Sequence, residues 1–240
     1  MKKRALSLVF ALCLLAVCLL SLSGCTGTAF TVNGLRVETE ELLYVMQDME
    51  AVVMFELEEE FGVNAEALDF WEAPQNGKDM LYELQKRAQA EIILEKVEQL
   101  LADDEGIHTQ LTYSGQLFEL ENINIERSRA AAAGEVIYGP VIRNFVAYKV
   151  SMLSDMRRDL KKRLRENGTL TVSDKQLNEE FEKRKEELLE NNSEKEAKTL
   201  LLEDLYDDAY DAYVAQAAAD ADVTYKVNVT YDMFVNYQQP

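Results

Sequence analysis

Apolar and polar positions along this chain repeat with two different periods, and the period decides the element. Leu42, Met46, Met49, Val53 and Leu57 recur every three or four residues, which marks one face of a helix. Ahead of them stands FTVNGLRV, Phe30–Val37. Asn33-Gly34 suits the two left-handed positions of a type I′ turn, so this stretch predicts a two-stranded hairpin. Thr39 is the expected N-cap, Glu40 and Glu41 suit the first helical turn, and Gly62 is the expected stop. The connector Asn64–Gly77 carries Phe70 and Trp71, which are expected to pin it to a core. A second helix is predicted over about Lys78–Ala102, with Leu81, Leu84, Ala88, Ile92 and Leu100 near one side. A third covers about Leu111–Ala133 and ends at Gly134. A fourth covers Val141–Arg165, with Pro140 in its first turn.

NGTLTVSDKQL then breaks the pattern. Ser173 and Gln176 form a capping box, flanked by a hydrophobic staple of Val172 and Leu177. The helix that follows, through Leu189, is polar enough that it must pack lightly or project into solvent. Ser193 and Glu196 make a second capping box, opening a long helix to about Ala219. Val223–Val229 alternates with period two and reads as a strand. An isolated hairpin is marginal in water, so this strand is expected to return to it, with Val223, Tyr225 and Val227 facing inward. The expected fold is therefore mainly α, with long helices and a small sheet joining an N-terminal hairpin to a C-terminal strand. The domain is expected over 30–229, with 230–240 as a tail.

The first residues follow another logic. Lys2, Lys3 and Arg4 precede Ala5–Leu22, which carries no charge and reads as an export signal. It ends in LSGC, Leu22–Cys25, which resembles the bacterial lipobox. That resemblance implies a signal peptide over 1–24, a lipidated Cys25 and a short tether over 25–29. Two or three acyl chains on Cys25 would pass the threshold for stable anchoring at the extracytoplasmic face of a bacterial cell membrane. Cys13 and Cys18 would leave with the signal, so no disulfide framework or thiol catalysis is expected. The chain has 25 basic and 44 acidic residues and a formal net charge of −19. Such a surface repels nucleic acid and anionic lipid heads, and no nucleic-acid partner is expected.

Sites for chemistry are sparse. The single histidine, His108, sits in a connector. There is no GxSxG elbow to pair with it, and no glycine-rich phosphate loop. Asp204, Asp208 and Asp211 share a helix face but lack a calcium-binding loop. Carboxylate pairs such as Glu186-Glu187 are too common here to signal a catalytic pair. No catalytic residue, metal site or cofactor is expected. Tyr206, Tyr210 and Tyr213, continued backwards by Leu202, form an aromatic stripe at helical spacing. It is either core or one wall of a cleft for apolar peptide segments, since tyrosine joins an apolar ring to a polar tip. Met46, Met49, Met54, Met152 and Met156 on predicted helices would suit an adaptable surface or simply fill cores. RRDLKKRLR, Arg157–Arg165, is the one strong basic run, and pairing with the acidic helices is its expected role.

Two segments carry a family resemblance. TVNGLRVETEEL, Thr31–Leu42, resembles the opening of the SurA/PrsA-like exported foldases. LTVSDKQLNEEFEKRKEEL resembles that family's V-[ST]-[DE]-x-x-[LIV]-x-x-[YF] segment, matched by Val172, Ser173, Asp174, Leu177 and Phe181. VIYGP and the closing helix with VTYKV fit the same arrangement. The resemblance implies a SurA/trigger-factor-like chaperone fold that binds non-native exported polypeptides. Members commonly carry a parvulin-type prolyl isomerase domain, for which there is no room between Leu189 and Leu200, so catalysis is not carried over. The expected function is a membrane-anchored, non-catalytic chaperone. The alternative is a structural or adaptor lipoprotein that docks one envelope partner through the polar helix Asp174–Leu189.

Overall fold

The computed structural model describes residues 27–240. The signal over 1–24 and the lipidation site Cys25 lie outside the described residues. Strands β1 (Thr28–Val32) and β2 (Leu35–Glu38) lead into helix α1 (Thr39–Phe61), followed by α2 (Met80–Asp104), α3 (Tyr113–Ala132) and α4 (Phe145–Glu166). Helices α5 (Asp174–Lys183), α6 (Lys185–Leu189) and α7 (Glu194–Ala219) precede β3 (Val223–Tyr225) and a final short helix, α8 (Tyr231–Val235).

The hairpin turns where its sequence demands. Asn33 and Gly34 take φ values of 49° and 82°, and Val32 pairs directly with Leu35. β1 is the central strand, with β3 antiparallel on its other side and Val32 opposite Val223. Asn33 also sets where the returning strand begins. Its backbone N–H donates to Asp222 O at 2.8 Å, and its Oδ1 accepts from the Asp222 N–H at 2.8 Å.

The C-terminal strand is shorter than the alternation predicts. β1 bulges between Thr28 and Phe30, and the Lys226 and Val227 amides both converge on Ala29 O there, at 2.9 and 3.1 Å. Beyond that point the Gln85 side chain replaces a neighbouring strand: it donates to Val227 O at 3.3 Å and accepts from the Val229 N–H at 2.8 Å. The inward residue is therefore Val229, whereas Tyr225 is 56% exposed. Pairing also starts earlier than expected, since Thr28 and Ala29 of the presumed tether belong to β1. Residues 230–240 likewise fold back. Phe234 is buried against Trp71, and Gln47 Nε2 donates to the Phe234 and Tyr237 carbonyls, each at 3.1 Å.

Two helix starts differ from the sequence reading. Thr39 is the first residue of α1, and Glu38 occupies the cap position without a side-chain cap bond. The Glu38 carboxylate instead accepts from Ser114 Oγ at 2.6 Å, tying the sheet to α3. α4 starts at Phe145 because the Asn144 side chain caps the Ala147 N–H at 2.9 Å, which leaves Pro140 and Val141 in a connector. Gly62 is left-handed at the end of α1 and Ser193 and Glu196 close a reciprocal capping box, whereas at α5 only half of the predicted box forms: Ser173 Oγ accepts from the Gln176 N–H at 3.1 Å.

Three apolar clusters run along the molecule. The largest joins the sheet, α1, the first half of α2, Tyr113, Phe145 and the C-terminal segment. A second joins α4 and α7 around Leu160, Leu164 and Tyr210. A third holds α5 and α6 on α7 through Phe181, Leu188, Leu201 and Leu205. The polar segment therefore docks rather than projects, and it breaks at Arg184 between α5 and α6.

Past Ile92, α2 buries charge. Glu95, Lys96, Glu98 and Gln99 are all buried. Lys96 Nζ meets Glu41 Oε1 at 2.7 Å and Leu111 O at 2.7 Å. Glu95 pairs with Lys149 at 2.8 Å, and Glu98 is gripped by Arg157 through contacts of 2.6–3.0 Å. A buried ion is tolerated only with a partner and hydrogen bonds, so these pairs fix the register of α4 on α2. Burial holds the Glu41 carboxyl above its ordinary range, against the opposing pull of Lys96.

Candidate polypeptide-binding groove

Exposed apolar side chains gather on one arm of the molecule, built from α3, the connector after it and the start of α4. Phe118 is 66% exposed, Tyr138 87% and Ile142 61%, with Ile125, Val136, Val141, Val146 and Val150 also open to solvent. Single exposed apolar side chains are ordinary; here Ile125 and Ile142 share one groove, whereas Val146 and Val150 border other faces of α4.

The connector is held in place by its backbone, which frees its side chains. Arg127 donates to the carbonyls of Tyr138 at 2.7 Å, Pro140 at 2.7 Å and Val141 at 3.3 Å. Asn124 grips the next residues as a strand would. Its Nδ2 donates to Arg143 O at 2.9 Å, and its Oδ1 accepts from the Arg143 N–H at 2.8 Å. The carbonyls of Tyr138, Pro140, Val141 and Arg143 and the Arg143 N–H are thus served by two side chains of α3. A packed loop of this sort would normally turn its apolar residues inward, but here they stay in water.

Between α3 and this connector lies an open groove of about 700 Å³. Leu117, Leu120, Ile125, Ala132, Ile142, Phe145 and Pro240 form its apolar surface. Asn124, Ser128 and Asn144 add polar points, Glu121 stands on the α3 wall, and Arg129 and Arg143 also line it. Its floor is firm. Phe145 packs edge-on against Tyr44 and Tyr113 with ring centroids 5.0 and 5.1 Å apart, and Tyr113 O–H pairs with Tyr237 O–H at 2.8 Å. Burial raises the Tyr113 phenol well above its usual range, with the Tyr237 bond adding to the effect.

The tyrosine stripe does not form one open face. Tyr210 is buried in the second cluster and donates to Glu98 Oε1 at 3.0 Å. Burial and then the Glu98 charge push its phenol up. Tyr213 is partly buried beside it, and Tyr206 borders a groove. That groove, about 730 Å³ between α4 and α7, contains the basic run. Its cations are balanced, as expected: Lys161 meets Asp207 at 2.6 Å, Arg165 meets Glu203 at 2.6 Å, and the Arg165 guanidinium lies 3.9 Å over the Tyr206 ring.

Elsewhere chemistry stays thin. His108 is exposed, 3.4 Å from Asp103. Among the described residues, no group of three or more His, Cys, Asp or Glu side chains is placed to hold a metal ion, and no helix is long and apolar enough to cross a membrane. The α3–connector groove was missed by the sequence reading. The available signal was VIYGPVI, a cluster of apolar residues inside a Gly-Pro connector that no helical period explains. Comparisons with protein-family models, curated proteins and solved structures return no match.

Proposed function

We propose that this chain is a membrane-anchored, non-catalytic chaperone that holds non-native exported polypeptides. The observation that carries this reading is the apolar groove, where Ile125 and Ile142 stand exposed over a rigid aromatic floor, with Phe118 and Tyr138 also exposed on the elements that build it. Unfolded chains expose apolar segments, and an apolar surface binds them without needing a sequence code. The LSGC segment supports anchoring through Cys25, and the VNG and VSD segments support a SurA-like chaperone lineage. The adaptor alternative draws less support, because the apolar residues of the polar segment, Phe181 and Leu188, are already occupied by α7.

Light scattering from a chemically unfolded client tests the proposal. Wild type is expected to suppress aggregation at near-stoichiometric ratio, and Ile125→Ser/Ile142→Ser to lose most of that effect with its fold intact. No suppression by wild type at several-fold excess contradicts the reading. The anchor has its own check: Cys25→Ser is expected to abolish labelling by radioactive palmitate, and continued labelling would remove lipidation at that site.

A further inference from the structure

Two arginines distinguish this groove from a plain apolar surface. In the α4–α7 groove each of Arg157, Arg158, Lys161, Lys162 and Arg165 has a carboxylate within 3.9 Å. In the α3–connector groove, Arg129 and Arg143 make no side-chain ion pair or hydrogen bond among the described residues. Neither guanidinium has a direct carboxylate contact, although Arg129 stands in the last turn of α3 and Arg143 also borders a neighbouring pocket with Glu119, Asp155 and Asp159. Glu121 lies on the same α3 wall, two helical turns before Arg129, or about 12 Å along the axis. Along α3 the groove therefore has acid at Glu121 and a guanidinium two turns on at Arg129, with Arg143 held beside Asn124 between them.

We infer that the groove takes an apolar polypeptide segment carrying carboxylates at one end, and that those carboxylates dock on Arg129, at the end away from Glu121, with Arg143 reaching in from the connector wall. Guanidinium forks match carboxylates in geometry as well as charge, and charge pairs at a rim select partners and orientation. Pro240 of the chain's own C-terminal segment already lines this groove, so apolar polypeptide is accommodated there. This inference rests on the chaperone reading and names the class of segment preferred.

Fluorescence anisotropy on the full-length chain in zwitterionic lipid nanodiscs tests it. Three labelled peptides share one apolar core and end in a short run of glutamate, glutamine or lysine. The glutamate peptide is expected to bind about fivefold more tightly than the lysine peptide, a margin that shrinks at high salt. In Arg129→Glu/Arg143→Glu the order is expected to reverse, with an unchanged melting temperature, because neither guanidinium has a partner to lose. Equal binding of the glutamate and lysine peptides overturns the inference and leaves groove binding standing, as does a glutamate preference that survives in the variant. If none of the peptides binds, the chaperone reading falls with it.

Discussion

Helix α4 has a groove at each end, and the two are similar in size but opposite in chemistry. Along its C-terminal half, cations meet carboxylates of α7, Glu98 is clamped by Arg157, and Tyr206 lies under Arg165. At its N-terminal approach, apolar side chains stand in water and two guanidiniums make no ion pair among the described residues. The first surface is internally complete, while the second has unmet apolar and charged groups. A site is better recognised by such unmet chemistry than by the density of suggestive residues: the tyrosine stripe and the basic run both belong to the completed surface.

The largest effect should come from the buried pairs that fix α4 and α1 on α2. Lys96→Met strands Glu41 without its cation and is expected to cost about 3–5 kcal/mol in urea unfolding. Glu41→Leu/Lys96→Met is expected to recover most of that loss. A double variant as unstable as the single one would show that the pair does more than balance charge.

Alkaline stability should fall next. Tyr44 is raised to about 12, mainly by burial, and Tyr113, Tyr148 and Tyr210 are also raised, with burial the largest cause. Unfolded phenols titrate near pH 10. The contribution of a raised phenol is complete below that pH and is lost as pH climbs through the folded value. Each such phenol is expected to remove about 1.4 kcal/mol per pH unit above pH 10, and Tyr210→Phe to flatten the slope. Stability that stays level to pH 12 would contradict the burial of these side chains.

Asn124→Ala removes both bonds to the Arg143 backbone and should cost about 1–2 kcal/mol while loosening the groove wall. Hydrogen exchange at Arg143 and Asn144 would show this as lost protection. The smallest effect should come from the balanced groove, where Arg165→Ala breaks an exposed pair worth below about 1 kcal/mol and leaves client binding unchanged.

Much of the scaffold was legible because its signals are local. Asn33-Gly34 needs only its own backbone to turn, Gly62 only its own φ, and Ser193 only Glu196 three residues on. The sheet between the chain ends followed from a hairpin that needed a third strand. What escaped depends on distant partners. Nothing local marks Glu95, Lys96 and Glu98 as buried, and their burial becomes tolerable only once Glu41, Lys149 and Arg157 arrive from other helices. Val229 is buried where the Gln85 amide, far away in sequence, takes its N–H, and no local pattern announces that bond. The groove escaped for the same reason: EVIYGP suggests only a turn or short strand, and Asn124 and Arg127, which hold the connector, come from another element.

The most direct test compares the two ends of α4 by photocrosslinking. A benzoylphenylalanine at Ile125 or Ile142 marks the open groove, and one at Tyr206 marks the balanced groove. With an unfolded exported client, crosslinks are expected from Ile125 and Ile142 and to be lost when the client folds, with only background from Tyr206. Crosslinks predominantly from Tyr206, or equal yields from all positions, would contradict the assignment of client binding to the α3–connector groove.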